Sequence, residues 1–394
     1  MKKQTQAIHL EYERRDAYDS LSVPVYNTLA YEFDNAAVMA EAFTDKIKAP
    51  DYSRVENPTV TNLERRVAAL TDAAHATAFN SGMAAISNTL MALAAQGKNI
   101  VTSKHLFGNT YALLVATLRR FGVKVRLRDL TNIEAVREAI DDDTCCVFLE
   151  ILTNPQLEVA DLKAISEVAH EKNVPLVVDS TVIPFTQFSA KSLGVDIEVV
   201  SSSKYVSGGA TSLGGLVIDY GTPYNGDFAK RLYGEMLFNF GAYMTPQVAY
   251  MQTIGLETLD ARYRVQSSNA LELAKKLRSL PQIKNVNYVG LEDNPYHELA
   301  QRQFGKTAGA MICIDLESKE ACFSFLNNLK LIHRATNLFD NRSLAIHPAS
   351  TIFGAFSESM RKSMDVKDTT IRLSIGLEDV DDLFEDIKQA VDNL

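Results

Sequence analysis

Cysteine is scarce in this chain, and its placement excludes two kinds of protein. Cys145, Cys146, Cys313 and Cys322 are too few and too irregularly spaced for a disulfide framework or a zinc ligand set. Cys145 and Cys146 sit in an apolar run, 144–149, and read as reduced strand residues. The seven histidines contain no H-x-x-x-H pair, which removes the usual helical zinc signature. Ala210-Thr211-Ser212-Leu213-Gly214 resembles a nucleophile elbow but has alanine where the first glycine belongs, which argues against a serine hydrolase. There is no basic surplus: 40 Lys and Arg against 49 Asp and Glu give a net charge of −9, so nothing favours nucleic acid or an anionic membrane. No apolar run reaches the length of a membrane span. The start, Met1-Lys2-Lys3, leads into the charged stretch 11–16 rather than an apolar signal core, and the expected location is cytoplasmic.

What is present is a soluble globular balance, 46% apolar and 23% charged, with length enough for two domains. From about residue 75 to 220, short β-rich runs at 99–102, 123–127, 145–149 and 176–178 alternate with helical patterns. That alternation predicts an α/β fold, a mostly parallel central sheet covered by helices. Beyond about 250 the texture changes. Ala270, Leu273, Ala274 and Leu277 share a helix face before Pro281, and Val380, Leu383, Phe384, Ile387 and Val391 form a last apolar stripe. Runs 310–316 and 371–375 between them read as strands of a smaller C-terminal α+β domain. The expected division is an N-terminal arm over 1–60, a large domain over 61–250 and a small domain over 251–394. The arm is rich in turn formers, including Pro24, Pro50 and Asn57-Pro58.

Ligands in open α/β sheets sit at the carboxyl ends of strands. Two such ends carry chemistry. Asp179 closes the apolar run 174–179, and Lys204 follows Ile197-Glu198-Val199-Val200-Ser201-Ser202-Ser203, 25 residues later. An amine, a carboxylate and a cluster of hydroxyls suit pyridoxal phosphate: an imine to the lysine, the hydroxyls on the phosphate, the aspartate keeping the ring nitrogen protonated. The pair by itself is equally compatible with ordinary polar strand ends.

Six blocks go further: Tyr52-Ser53-Arg54-Val55-Glu56-Asn57-Pro58-Thr59, Asn80-Ser81-Gly82-Met83-Ala84-Ala85, Glu150-Ile151-Leu152-Thr153-Asn154-Pro155, Val178-Asp179-Ser180-Thr181, Ser201-Ser202-Ser203-Lys204-Tyr205 and Ile371-Arg372-Leu373-Ser374-Ile375-Gly376-Leu377-Glu378. In order and spacing the chain resembles, from about residue 20 onward, the Cys/Met-metabolism family of pyridoxal-phosphate enzymes of fold type I. The resemblance implies that Lys204 is the catalytic lysine and that Asp179 and Thr181 serve the ring. It implies a phosphate held by the Ser81-Gly82-Met83 helix start, by Ser201 and Ser203, and by Tyr52 and Arg54 of a neighbouring subunit. Asn154 would bind the ring oxygen, and Phe107 would stack on the ring where most members have tyrosine. Arg372, with Asn337, would hold the substrate carboxylate; alternation in 371–375 sends the arginine to the face opposite the buried side chains of that strand. Gly208-Gly209 departs from a common Gly-His pair.

Segment 336–351, with Asn337 and Arg342-Ser343-Leu344, is most similar to the O-acetylhomoserine sulfhydrylase branch. The expected reaction is γ-replacement on O-acetylhomoserine by sulfide or methanethiol, giving homocysteine or methionine plus acetate. Methionine γ-lyase is the alternative, followed by cystathionine γ-synthase or lyase, and a silent cofactor-binding scaffold is the reading from another class. Asn109 stands where some γ-lyases have a reactive cysteine. The resemblance implies a homotetramer built from catalytic dimers.

Overall fold

The computed structural model describes residues 1–10, 16–44 and 46–394, so the charged stretch 11–15 and Asp45, both within the expected arm, lie outside the described residues. The first sheet contains β1 (His75–Phe79), β2 (Asn99–Ser103), β3 (Lys124–Arg128), β4 (Thr144–Glu150), β5 (Leu176–Asp179), β6 (Ile197–Val200) and β7 (Gly215–Asp219). Their order is β1-β7-β6-β5-β4-β2-β3; β7 runs antiparallel to both neighbours and the remaining pairs are parallel. Strands buried on both faces explain the continuous apolar runs. Leu149, Leu176 and Val178 enter one core, while Phe148, Val177, Ile197 and Val199 enter the core on the other face. Full burial of each such side chain stabilises the sheet by roughly 1.5–3 kcal/mol.

Helix starts follow local rules. Asn57 caps the helix Pro58–Thr71 by accepting from the Thr59 amide, with Pro58 in the first turn, where its missing N–H costs nothing. Ser81 caps Gly82–Leu93 by accepting from the Ala84 amide. The second sheet comprises β8 (Asn285–Asn287), β9 (Met311–Asp315), β10 (His333–Arg334), β11 (Leu344–Ile346) and β12 (Thr370–Ser374), ordered β10-β11-β12-β9-β8. The long helix Leu259–Leu277 leads into it and buries Ala270, Leu273, Ala274 and Leu277 completely, as their spacing predicts. The last helix, Val380–Asp392, buries Leu383, Ile387 and Val391 against it.

Two features go beyond the sequence reading. β12 is buried on both faces, so Arg372 lies within the protein at 2% exposure. The beginning of the arm is a helix, Lys3–His9, docked on its own chain: Lys3 Nζ donates to the carbonyls of Phe185 and Phe188, and Arg66 donates to Ala7 O. The arm also contains a short helix, Ala36–Ala42, capped by Asn35. These helices are too short for their apolar spacing to stand out in sequence. Among the described residues no helix is long and apolar enough to cross a membrane.

Candidate active site

A cavity of about 580 Å³ opens at the carboxyl ends of β4, β5 and β6 and is closed on the far side by the second sheet. It brings together Ser81, Gly82, Met83, Phe107, Asn154, Asp179, Thr181, Ser201, Ser203, Lys204, Asn337 and Arg372, which the sequence placed in five separate stretches and at two single positions. Tyr52 and Arg54 are not among its lining residues. Tyr52 is 41% exposed, and Arg54 donates to Phe238 O and lies over the Tyr52 ring.

Lys204 Nζ points into the cavity and donates to Asn337 Oδ1 at 2.8 Å. Burial, with the Arg372 charge adding, pushes its pKa down to about 8, which makes the neutral, nucleophilic amine accessible near neutral pH. At the end of β5, Asp179 accepts from the Thr181 amide, and burial holds its pKa above the ordinary carboxylate value. No cation among the described residues pairs with Asp179, so a cationic ring N–H set against it relieves a desolvation cost. Parallel pairing of β4 with β5 sets Glu150 directly beside Asp179. Burial, and then the Asp179 charge, drives the Glu150 pKa well up, and its carboxyl accepts from the Phe107 amide.

The phosphate end is built from backbone. The Gly82 and Met83 amides at the start of Gly82–Leu93 have no acceptor among the described residues, while the Ser81 hydroxyl is committed to Ala84. Glycine is required at position 82, because an added Cβ would fall 2.6 Å from the Ser201 Cβ. Orphan amides at a helix start suit an anion. Thr181 Oγ1 accepts from the Ser201 amide and ties β5 to the lysine loop. The Ser203 hydroxyl is already engaged, donating to Gly214 O at 3.1 Å and accepting from Gly214 N at 2.9 Å. Gly209 has a structural reason as well: at φ +120, an added Cβ would lie 2.3 Å from Asn341 Nδ2.

At the other end, Arg372 Nη1 donates to Asn154 Oδ1 at 3.3 Å and Nη2 to the carbonyls of Thr336 and Asn337, while Nε has no partner. Burial lowers its pKa to about 10. A buried guanidinium with a free N–H and no carboxylate partner among the described residues is suited to a carboxylate from a ligand. Sequence reasoning gave no role to Glu150, although it opens a quoted block; only cross-strand register shows that it adjoins Asp179. It also passed over Thr336, Thr351 and Ile352, whose place in the wall follows from loop packing.

An amine of lowered pKa, an unpaired carboxylate at a strand end and unpartnered helix-start amides, at one edge of a mostly parallel sheet, define a pyridoxal-phosphate enzyme of fold type I, and the residues present fit that cofactor. Comparison with known proteins agrees. The description Cys/Met metabolism PLP-dependent enzyme matches residues 4–392, and the chain belongs to that family. It is 37% identical over 394 residues to an L-methionine gamma-lyase of Fusobacterium nucleatum subsp. polymorphum, covering 99% of this chain and 98% of the relative. It is 31% identical to the O-acetyl-L-homoserine sulfhydrylase of Corynebacterium glutamicum, covering 98% of this chain and 95% of the relative. A crystal structure of an O-acetylhomoserine (thiol)-lyase, described as putative, from Campylobacter jejuni superposes with a TM-score of 0.95 at 35% identity over 100% of both chains, and it carries a pyridoxyl-lysine monophosphate. The cofactor is pyridoxal phosphate, and the protein is an enzyme of sulfur amino-acid metabolism of the transferase and lyase type. Its relatives carry out γ-elimination or γ-replacement.

Proposed function

We propose that the enzyme catalyses γ-replacement on O-acetylhomoserine, with sulfide or methanethiol as the incoming group. Pyridoxal phosphate, when bound, supplies an electron sink for charge that develops on the substrate carbons next to the amine. Lys204 would hold the cofactor and, as a free amine, would move protons at those carbons; its pKa of about 8 suits both roles. Asp179 retains the proton on the ring nitrogen, with Thr181 fixing its carboxylate. The phosphate is taken by the Gly82 and Met83 amides behind Ser81 and by the Ser201 hydroxyl, with Ser203 shaping the loop through Gly214. Asn154 serves the ring oxygen and Phe107 the ring face. Arg372, positioned by the Asn337 and Thr336 carbonyls, binds the α-carboxylate. Tyr52, exposed on its own subunit, and the half-buried Arg54 complete the phosphate site of a second copy in a catalytic dimer, two of which form a homotetramer.

One observation carries the choice of substrate: the ring that the cavity presents at position 107 is the phenyl of Phe107, which lacks the hydroxyl a tyrosine there would supply. Acetate departs as a stable anion and needs no proton. A thiolate is a poorer leaving group and benefits from a general acid, a contribution of roughly 10²–10⁴-fold. A second reading, methionine γ-lyase, is favoured by the identity to the Fusobacterium relative. Purified enzyme given O-acetylhomoserine plus sulfide, and separately methionine alone, separates the two. The expected outcome is higher kcat/KM for the acylated substrate. Faster thiol release from methionine alone would overturn the replacement reading, and no turnover with either would leave a cofactor-binding scaffold.

A further inference from the structure

Residues 348–366 form a strap with a small core of its own, Ala349, Phe353, Met364 and Val366, and the strap supplies Thr351 and Ile352 to the cavity wall. One end is pressed on the helix start that follows Phe107: a Cβ on Gly108 would lie 2.7 Å from the Ile352 carbonyl oxygen. The Tyr111 ring meets Phe356 edge-on at 5.9 Å. The other end is pinned electrostatically. Asp365, in a left-handed conformation at φ 55, receives Lys104 Nζ at 2.7 Å and His105 Nε2 at 2.8 Å. The opposite ring nitrogen, Nδ1, lies 2.5 Å from Glu158 Oε2, beyond β4. His105 is 6% exposed and stands two residues before Phe107. A carboxylate oxygen faces each ring nitrogen, and the imidazolium is the form in which both nitrogens donate.

We propose that His105 is a positioning residue: as a buried cation bridging Glu158 and Asp365, it fastens the strap to the Phe107 side of the cavity, so that substrate meets a closed wall. The charged groups acting on it are Glu158 from the turn after β4, Asp365 from the strap and Lys104 from its own segment; Tyr296 faces Glu158 from the second-sheet side. Burial opposes the charged ring, but the hydrogen bonds and charges of Glu158 and then Asp365 outweigh it and raise the His105 pKa above 6.5. Asp365 is held low, first by Lys104, and stays ionised at neutral pH. A folded-state pKa above the unfolded value means that the clasp is fully present below the unfolded pKa and is lost as pH rises through the folded one.

Amide hydrogen exchange of the holoenzyme over residues 351–366, expressed as protection relative to free-peptide rates, tests this without any substrate. Protection in the native enzyme should fall as pH rises through the raised pKa of His105. His105→Gln should lack that dependence and show about tenfold less protection at pH 6, the loss expected of one charge-assisted bond. Asp365→Asn should reproduce the loss without altering the His105 side chain itself. With O-acetylhomoserine, His105→Gln should raise KM more than it lowers kcat, and the part of the pH dependence of KM that follows His105 should be lost. Equal strap protection in native enzyme and both variants at pH 6 would overturn the clasp, even if KM changed. If O-acetylhomoserine proved not to be the substrate, the exchange result would stand unaffected.

Discussion

The sheet edge and the N-terminal arm hold their expected site residues in opposite ways. At the edge, Asp179, Thr181, Ser201 and Lys204 lie within 26 positions (204 − 179 + 1), half-buried and cross-tied to each other or to Asn337. Their geometry is complete inside one chain. In the arm, Tyr52 and Arg54 sit on the surface, and Arg54 spends its guanidinium on Phe238 O and the Tyr52 ring. Exposed apolar side chains accompany them, including Tyr18, Leu21, Leu29 and Phe43 in the arm, Phe240 nearby and Leu213 at the cavity. A preorganised group needs a rigid scaffold, whereas a group meant for a second chain must stay available until that chain arrives. In the proposed dimer, the same site would be half finished by folding and half by association.

Breaking the edge should have the largest effect. Lys204→Ala should abolish turnover and the absorbance band of lysine-linked cofactor near the visible limit; an unchanged spectrum would remove Lys204 from its role. Next is Arg372→Lys, which keeps the charge but loses the planar, two-pronged donor set. Steady-state kinetics should show kcat/KM lower by roughly 30- to 1000-fold, about 2–4 kcal/mol, with most of the change in KM. An unchanged KM would mean that the substrate carboxylate binds elsewhere. The comparison itself is sharpened by mixing. A Tyr52→Phe/Arg54→Ala subunit combined with a Lys204→Ala subunit should recover a fraction of native activity, since one of the two sites in the mixed dimer receives an intact edge and an intact arm. Verified mixed dimers without activity would place both residues in their own subunit's site.

The β-rich runs were legible because strands buried on both faces need continuous apolar sequence, and helix starts were legible from Asn57-Pro58 and Ser81-Gly82. Lys204 and Asp179 were legible because a local rule, strand followed by polar residue, marks a carboxyl edge. Other features depend on distant partners. The Ser203 hydroxyl is engaged by Gly214, eleven residues on, and Gly209 is dictated by Asn341. The alternation in 371–375 separates Arg372 from Ile371 and Leu373 but does not reveal that the arginine's own face is buried as well. The Lys3–His9 helix, held by the Phe185, Phe188 and Glu257 carbonyls, could not be read from a seven-residue segment.

Sequence by itself determined the alternating α/β plan, the lysine and carboxylate at two strand ends, and the glycine at the helix start, because each follows from chain-local periodicity and backbone geometry. Tertiary structure decided the rest: that Glu150 lies against Asp179, that an arginine far along the chain is buried with no carboxylate partner among the described residues, and that His105 bridges two carboxylates from separate segments. Charge states and unsatisfied donors are set by what the fold brings within a few ångströms and by how much water it excludes, and neither quantity is a property of neighbouring letters in a sequence.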